Sequence, residues 1–177
     1  MLKIRSMTLV NAPIERCFQL SLSIDLLALA AREKAIGGVT RGLIGPGQTV
    51  TWSGPFGRKH QSQMEEWRPY LYFREVSLSG PFRNYSHDHH FAPMNDGTRI
   101  RDEINCVASW GPLGYIAERL YLRRSIARYL KHRNELIKSI AESEQWHQYL
   151  DGQPAIDMQI YRTVGATASL RHREYAG

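Results

Sequence analysis

Only two cysteines, Cys17 and Cys106, occur among the 177 residues of the chain. Two cysteines cannot form the disulfide framework of a small secreted domain, and they favour a reducing compartment. Long apolar runs are also missing: the best one, Leu20 to Ala31, is interrupted by Asp25 and is shorter than the ~18 residues that indicate a membrane span. The first residues lack the apolar core of a secretory signal peptide. We therefore expect a soluble, cytoplasmic protein.

The motifs of nucleotide-binding and common hydrolytic sites are absent as well. The glycines between Gly37 and Gly47 are not followed by Gly-Lys-Ser/Thr, so they form no P-loop, and they follow no parallel unit of the kind that a dinucleotide site requires. The chain has no Gly-x-Ser-x-Gly elbow, and neither cysteine lies in a nucleophile motif. We expect no cofactor.

The net charge of the chain is positive, and its basic residues are unevenly distributed along the sequence. The chain carries 23 Lys and Arg against 17 Asp and Glu, a net charge of +6, and its 42% hydrophobic residues suffice for one folded domain. Much of the excess forms a stripe on one face of a C-terminal helical segment, with Arg124, Arg128, Lys131 and Lys138. Because no exposed aromatic residues interleave with this stripe, we expect no nucleic-acid partner and only weak contact with a membrane surface.

Hydrophobic periodicity and turn residues divide the chain into elements. A first strand over Lys3–Val10 precedes a helix over Ile14–Leu22 and a second short helix that begins after Ser23. A long amphipathic helix is predicted over Leu113–Ser143. The short connections between the intervening strands are typical of a sequential antiparallel sheet. The six predicted strands between the helices are Glu33–Thr40, Gln48–Ser53, Arg58–Trp67, Tyr70–Ser79, Phe82–Phe91 and Thr98–Ser109.

Seven short segments carry a family resemblance: Gly37–Gly45, Val50–Trp52, Gly80–Phe82, His87–Phe91, Gly97–Asp102, Gly111–Gly114 and Arg133–Asn134. In this order they resemble the START-like ligand-binding superfamily (SRPBCC). The chain looks most similar to small bacterial members described as polyketide cyclase/dehydrase-like or cell-division-inhibitor-like. The resemblance spans roughly Leu2 to Ser143, and it departs from the family at Ser53–Arg58, where the hairpin is shorter.

The resemblance implies an α+β helix-grip fold, in which a curved antiparallel sheet wraps around a long C-terminal helix. Residues 1–144 are interpreted as this domain, and residues 145–177 as a C-terminal extension. The sequence predicts neither the role of this extension nor the oligomeric state of the protein. Members of the superfamily range from lipid carriers to hormone receptors and cyclases, so the fold does not define the activity. The hollow between sheet and helix is the natural ligand site, and we expect it to bind a small hydrophobic molecule of lipid, polyketide or isoprenoid type.

The wall of this hollow is expected to come from inward-facing strand residues and from the inner face of the long helix. Trp52, which shares a strand face with Val50, is the best single candidate. Arg123 lies within the apolar arc of the helix, where it either meets an acidic ligand head or extends to solvent. The predicted lining is Trp52, His60, Met64, Tyr85, His87, Phe91, Ile104, Leu120, Arg123 and Leu130.

His89 and Asp102 are the candidate catalytic pair. Residues two apart on a strand share a face, so His87 and His89 point the same way, and Asp102 lies on the apolar face of the next strand. If Met94 faces Gly97 across the turn, His89 pairs with Asp102, whereas a shift of two residues pairs His87 with it. A carboxylate beside an imidazole raises its basicity, as a general base requires. The favoured alternative is that the two groups only satisfy each other inside a hairpin.

A metal site is a further interpretation of the same residues. His87 and His89, with His60 on a neighbouring strand and Asp102, could supply three or four ligands. Against this, no cysteine lies nearby, no further carboxylate is clearly assigned to that face, and the resemblance implies no metal. We therefore expect none.

Three functions remain open from the sequence. The first is binding of a small hydrophobic ligand, and the second is a cyclase, aromatase or dehydratase that uses the His89–Asp102 pair. The third is an adaptor that binds a membrane or a protein through the basic helix face.

Overall fold

The computed structural model describes residues 1–108 and 115–153, except for the side chains of Phe56, Arg83, Ala108 and residues 115–120. The predicted elements are all present within these ranges, and their bounds agree with the sequence interpretation to within a few residues. Leu113, the predicted start of the long helix, lies outside the described residues. The strands are β1 (Leu2–Val10), β2 (Lys34–Gly38), β3 (Thr49–Ser53), β4 (Lys59–Arg68), β5 (Tyr72–Ser79), β6 (Phe82–Met94) and β7 (Gly97–Ala108). The helices are α1 (Ile14–Leu22), α2 (Ile24–Ala31), α3 (Tyr115–Ala141) and α4 (His147–Leu150).

The seven strands of the described chain form one antiparallel sheet in the order β1-β7-β6-β5-β4-β3-β2. Strands β2 to β7 follow one another as hairpins, and β1 is added beside β7. In the β6–β7 hairpin Met94 pairs with Gly97 and His89 pairs with Asp102. Of the two registers that the sequence allowed, the unshifted one is therefore present, and the inner faces of the two strands match.

The main core lies where α1, α2 and the C-terminal half of α3 cover the concave face of the sheet. Phe18 of α1 is fully buried at its centre, with ring centroids 5.1 to 5.6 Å from those of Trp67, Tyr70, Phe73 and Phe91. Edge-to-face packing of this kind adds to the hydrophobic stabilisation of each ring. This end of the concave face is therefore closed by side chains.

A second, smaller core lies between α3 and the β1–β7 edge of the sheet. It contains Ile4 of β1, Ile104 of β7 and Leu130 of α3, all buried. The cavity described below is bordered by residues of β3 to β6 and of the helices α2 and α3.

The first residues of the predicted C-terminal extension pack on the domain. Trp146, Tyr149 and Leu150 contact the main core, and the guanidinium carbon of Arg16 lies 4.4 Å from the centroid of the Trp146 ring. Arg16 also donates a 2.8 Å hydrogen bond from Nη1 to the carbonyl oxygen of Ala141. Residues 154–177 lie outside the described residues. None of the described helices is both long and apolar enough to cross a membrane.

Candidate ligand cavity and the buried network behind it

A cavity of about 800 Å³ lies between strands β3 to β6 and the helices α2 and α3. Its apolar surface comes from aromatic and aliphatic side chains, among them Leu27 of α2 and Tyr129 of α3. Exposed residues such as Pro55 and Arg58 border its outer end. The lining residues from the sheet and its turns include Trp52, His60, Ser62, Glu75, Ser77, Phe82 and Tyr85.

Trp52 and His60 form one wall of the cavity because they are directly opposite each other on β3 and β4. Their rings are stacked, with centroids 6.5 Å apart and an interplanar angle of 24°. The indole Nε1 of Trp52 donates a 3.2 Å hydrogen bond to Ser62 Oγ. The polar end of the indole therefore has a partner within the protein, and the two rings give this wall mainly apolar surface.

Glu33 adds a carboxylate to the same wall. Its Oε2 lies 3.6 Å from Nε2 of His60. Burial raises the pKa of the Glu33 carboxyl above its ordinary value of 4.5, the charge of Glu75 adds to this, and His60 acts in the opposite direction. Glu33 and His60 thus place a carboxyl group and an imidazole side by side at the border of the cavity.

Two phenols complete the polar lining. Burial raises the pKa of Tyr85 well above 10.0 and that of Tyr129 to about 12. Both hydroxyl groups therefore stay protonated at neutral pH, and each can donate a hydrogen bond to a ligand oxygen.

Glu75 is the residue that sequence reasoning missed. It lies on β5 directly opposite His87 of β6, and it borders both the cavity and a void of about 10 Å³ next to His89 and Arg133. Within the described ranges no residue forms a hydrogen bond or an ion pair with its carboxylate. The alternation of Phe73, Glu75 and Ser77 on β5 is the signal that could have placed it inside.

Behind Glu75, Asp102 is the centre of a fully buried polar network. Its Oδ1 lies 3.1 Å from Nε2 of His87, 2.8 Å from Nδ1 of His89 and 3.5 Å from Nη1 of Arg133. Its Oδ2 accepts a 2.6 Å hydrogen bond from Nδ2 of Asn134. All five residues are at most 1% exposed. The network therefore joins β6, β7 and α3 without contact with solvent.

The charges of this network are defined by its contacts. Burial alone raises the pKa of the Asp102 carboxyl, but the hydrogen bonds from His87 and His89 and the charge of Arg133 hold it well below 3.8. Burial lowers the pKa of His89 well below 6.5, and the neighbouring His87 and Arg133 lower it further, against the effect of Asp102. At neutral pH Asp102 is therefore ionised and His89 is neutral.

The structure places three of the predicted lining residues, Trp52, His60 and Tyr85, at the cavity. The others are elsewhere, because a shared strand face runs from the closed core to the open cavity. Met64 and Phe91 lie in the main core, and Ile104 and Leu130 lie in the second core. His87 belongs to the buried network, Arg123 is exposed, and the side chain of Leu120 lies outside the described residues.

The predicted catalytic pair also lies away from the cavity. His89 and Asp102 are 1% and 0% exposed, and neither borders the 800 Å³ space. Of the described residues, Leu27, Trp52 and Glu75 border both the cavity and the void next to His89, and Glu75 is the one among them with an ionisable side chain. A ligand in the cavity would therefore contact Glu75 before it could exchange a proton with His89.

The candidate metal ligands considered from the sequence do not all lie together in the structure. His60 lies beside Glu33, and Asp102 lies behind the two buried histidines, with Oδ1 close to Nε2 of His87 and to Nδ1 of His89. The carboxylate that lies close to both His87 and His89 on the cavity side is Glu75. The expectation that no further carboxylate belongs to this face was therefore wrong.

The basic stripe of α3 is partly neutralised. Lys131 lies 3.7 Å from Glu135, and Lys138 pairs with Glu142 and donates a 2.7 Å hydrogen bond to the carbonyl oxygen of Leu9. Arg124 and Arg128 are exposed. Two of the four basic residues therefore have protein partners of their own.

No protein-family model and no curated protein sequence matches the chain. Solved structures do match it over about four fifths of its length. The fold is a helix grip. A protein from Thermus thermophilus, TTHA0849, superposes with a TM-score of 0.60 at 19% identity and covers 79% of this chain and 99% of its own.

Two further solved structures are similar to this chain. The di-domain ARO/CYC protein StfQ from the steffimycin biosynthetic pathway has a TM-score of 0.63 at 14% identity, over 79% of this chain and 50% of that one. The solution structure of the Bacillus halodurans protein BH1534 has a TM-score of 0.61 at 16% identity, and the match covers 80% of this chain and 98% of that one. At these identities the likeness establishes the fold, which is the one that the sequence predicted.

Proposed function

We propose that this protein binds a small, largely apolar molecule in the cavity between its sheet and its long helix. The cavity volume of about 800 Å³ carries the proposal, because ligand sites for small molecules typically span ~300–1,000 Å³ and are mostly apolar with a few polar groups. Trp52, Phe82 and Leu27 supply apolar surface to such a molecule.

The polar lining narrows the ligand class. Glu33, Glu75 and His60 offer acceptors, and Tyr85 and Tyr129 offer donors. A purely aliphatic ligand would leave the Glu75 carboxylate and the two phenol hydroxyl groups without partners, which costs free energy once the ligand displaces water from the cavity. We therefore favour a molecule with a flat or branched apolar body and several oxygen substituents, such as a polyketide or an oxygenated isoprenoid, over an unsubstituted lipid chain.

An enzymatic role is the second candidate, as a cyclase, aromatase or dehydratase. It is favoured by the Glu33–His60 pair, whose atoms are 3.6 Å apart at the cavity wall, and by the helix-grip likeness to an ARO/CYC protein. In this role Glu33 and His60 would move protons on the bound ligand, since the His89–Asp102 pair lies deeper. The likeness to cell-division-inhibitor-like proteins and an adaptor role for the basic helix face have no comparable observation in their favour.

The test is native mass spectrometry of the purified protein, followed by solvent extraction of whatever has co-purified. We expect a bound small molecule in the wild type and its loss in Ser77→Phe, which fills the cavity from β5. Leu78→Phe is the matched control, since Leu78 is the next residue on the same strand and is 50% exposed on its outer face.

An apolar fluorescent probe serves where nothing co-purifies. Equal probe binding by the wild type and a folded Ser77→Phe variant would contradict the cavity as the binding site. If the isolated ligand is converted to a new product on incubation, and His60→Gln retains binding but loses that conversion, the enzymatic candidate replaces simple binding.

A further inference from the structure

Two histidines and a glutamate come together at the inner end of the cavity. His87 and His89 are two residues apart on β6 and share its inner face, and Glu75 of β5 is directly opposite His87. One ring nitrogen of each histidine and one carboxylate oxygen of Glu75 lie within 4.8 Å of one another. The arrangement results from strand pairing alone, since alternate residues of adjacent strands converge on one face.

Asp102 orients both imidazoles from behind. Its Oδ1 lies 3.1 Å from Nε2 of His87 and 2.8 Å from Nδ1 of His89. The opposite nitrogens, Nδ1 of His87 and Nε2 of His89, form no hydrogen bond with any residue in the described part of the chain. A histidine whose one nitrogen binds a carboxylate while its other nitrogen is available is the usual arrangement of a metal ligand, because the carboxylate fixes the tautomer.

The charges around Glu75 also favour a bound cation. Glu75 and Asp102 are two carboxylates, and Arg133 is the one guanidinium that contacts the network among the described residues. Asp102 takes the contact with Arg133, which leaves Glu75 without a cationic partner. A cation bound between Glu75 and the two buried imidazoles would give this half-buried carboxylate the opposite charge that Arg133 gives to Asp102.

We propose that Glu75, His87 and His89 bind a divalent transition metal ion of the Zn²⁺ type, with its open coordination position towards the cavity. Two imidazole nitrogens and one carboxylate oxygen are the ligand set of many zinc and iron(II) sites, whereas Mg²⁺ and Ca²⁺ prefer oxygen ligands only. Metal–ligand bonds of about 2.0–2.2 Å require the three side chains to move inward by small rotations. Asp102 is a positioning residue in this site.

A metal there would face the ligand that the cavity is proposed to hold. An ion with an open position polarises a carbonyl oxygen placed against it. The site is argued independently of that ligand, however, and its test requires no knowledge of the ligand.

The experiment uses the full chain after treatment with a chelator and dialysis. Titration calorimetry with Zn²⁺ measures stoichiometry and affinity, and Co²⁺ gives a visible absorption spectrum that reports a low-coordinate nitrogen and oxygen site. We expect one tightly bound Zn²⁺ per chain. Glu75→Gln is expected to lower the affinity at least tenfold, and it should leave folding intact because Glu75 has no side-chain partner to lose.

Two matched controls isolate the site. Glu33→Gln removes the other carboxylate of the cavity, and His90→Gln removes a histidine of the same strand that faces the opposite side. Both should bind Zn²⁺ like the wild type. Asp102→Asn, where it folds, should weaken Zn²⁺ binding about 10–100-fold by releasing both imidazoles, with a shifted Co²⁺ spectrum.

Three outcomes would overturn the proposal. The first is no Zn²⁺ binding by the folded wild type. The second is undiminished affinity in Glu75→Gln, and the third is binding that is lost in His147→Gln instead, because His147 lies beside Glu144 and Asp151 on the exposed C-terminal turn. Loss of metal with retention of the cavity ligand would leave the proposed function standing.

Discussion

Asn134 of α3 donates a 2.6 Å hydrogen bond from Nδ2 to Oδ2 of Asp102 on β7, and both side chains are fully buried. Together with the neighbouring Arg133 it attaches the long helix to the sheet through a polar contact at a point where hydrophobic contacts would otherwise be expected. The contact defines the rotation of the helix about its axis, since hydrogen bonds are directional and apolar contacts are not.

Replacing Asn134 with alanine should lower the free energy of unfolding by about 2 kcal/mol, because it leaves a buried carboxylate one hydrogen bond short. Urea unfolding measures the change. Glu135→Ala is the control one residue away: its side chain is exposed and only weakly paired with Lys131, so a loss below about 0.5 kcal/mol is expected. Equal losses in the two variants would show that the Asn134–Asp102 contact contributes nothing of its own.

Phe18→Ala should be among the most destabilising single changes, at about 3–5 kcal/mol, because it empties the centre of the aromatic core. Phe18 is fully buried and contacts four aromatic rings. Phe18→Leu should recover much of the loss. Thermal and urea unfolding measure both, with Leu29→Ala as control since Leu29 is 54% exposed on the next helix. A loss below about 1 kcal/mol for Phe18→Ala would show that this end of the sheet is not closed as described.

Gly97→Ala should be destabilised by about 3 kcal/mol. Gly97 has φ +148°, and a Cβ there would lie 2.1 Å from the carbonyl oxygen of Val10, so the β1 backbone would have to move. Gly47→Ala is the control: Gly47 also has a positive φ, of +75°, but no heavy atom lies within 4 Å of an added Cβ. That variant should lose only about 1 kcal/mol, the cost of a left-handed alanine. Similar losses would mean that backbone conformation, and not the contact with β1, limits both sites.

Lowering the pH should remove the contribution of Glu103 to the stability of the folded protein. The hydrogen bond from Lys3, and a further one from Arg5, lower the pKa of Glu103 from 4.5 to about 2. Because the folded-state pKa is depressed, this stabilisation is fully present above pH 4.5 and is lost as the pH falls towards 2. Glu103→Gln should therefore flatten the stability curve over that interval relative to the wild type.

The size of this effect should be modest, about 1 kcal/mol, because Lys3 and Arg5 are largely exposed to solvent. Urea unfolding at a series of pH values measures it. In about 1 M salt the difference between wild type and variant should shrink, since exposed charges are screened. Parallel curves for the two proteins between pH 4.5 and 2 would contradict the assignment.

The order of elements and the register of the β6–β7 hairpin could be predicted from the sequence because both depend on local pattern. Turn residues delimit the strands, and the pairing of His89 with Asp102 follows from a tight turn plus the requirement that apolar faces match. Alternation also identified the inner faces of β6 and β7.

Alternation does not tell which part of an inner face is packed and which borders a cavity. Tyr85 and Phe91 share a face of β6, but they are about 20 Å apart along the strand at ~3.3 Å per residue, so one borders the cavity and the other contacts Phe18. Glu75 was missed for a related reason. Glu75 shares its face of β5 with Phe73, but the apolar Val76 and Leu78 fall on the opposite face, so the apolar pattern of this strand does not decide which face is the inner one.

The position of β1 has a consequence for how the chain reaches its native state. Strands β3 to β7 can form as successive local hairpins, but Leu2 pairs with Cys106 and Val10 pairs with Thr98, so β1 must close a loop of almost the whole domain. Loop closure over such a separation is slow compared with hairpin formation. Until it is complete, β7 presents an unpaired edge with inward-facing Ile100 and Ile104, and such an edge is a template for pairing between chains. Variants that delay the docking of β1 should therefore aggregate during refolding even where the native protein is stable.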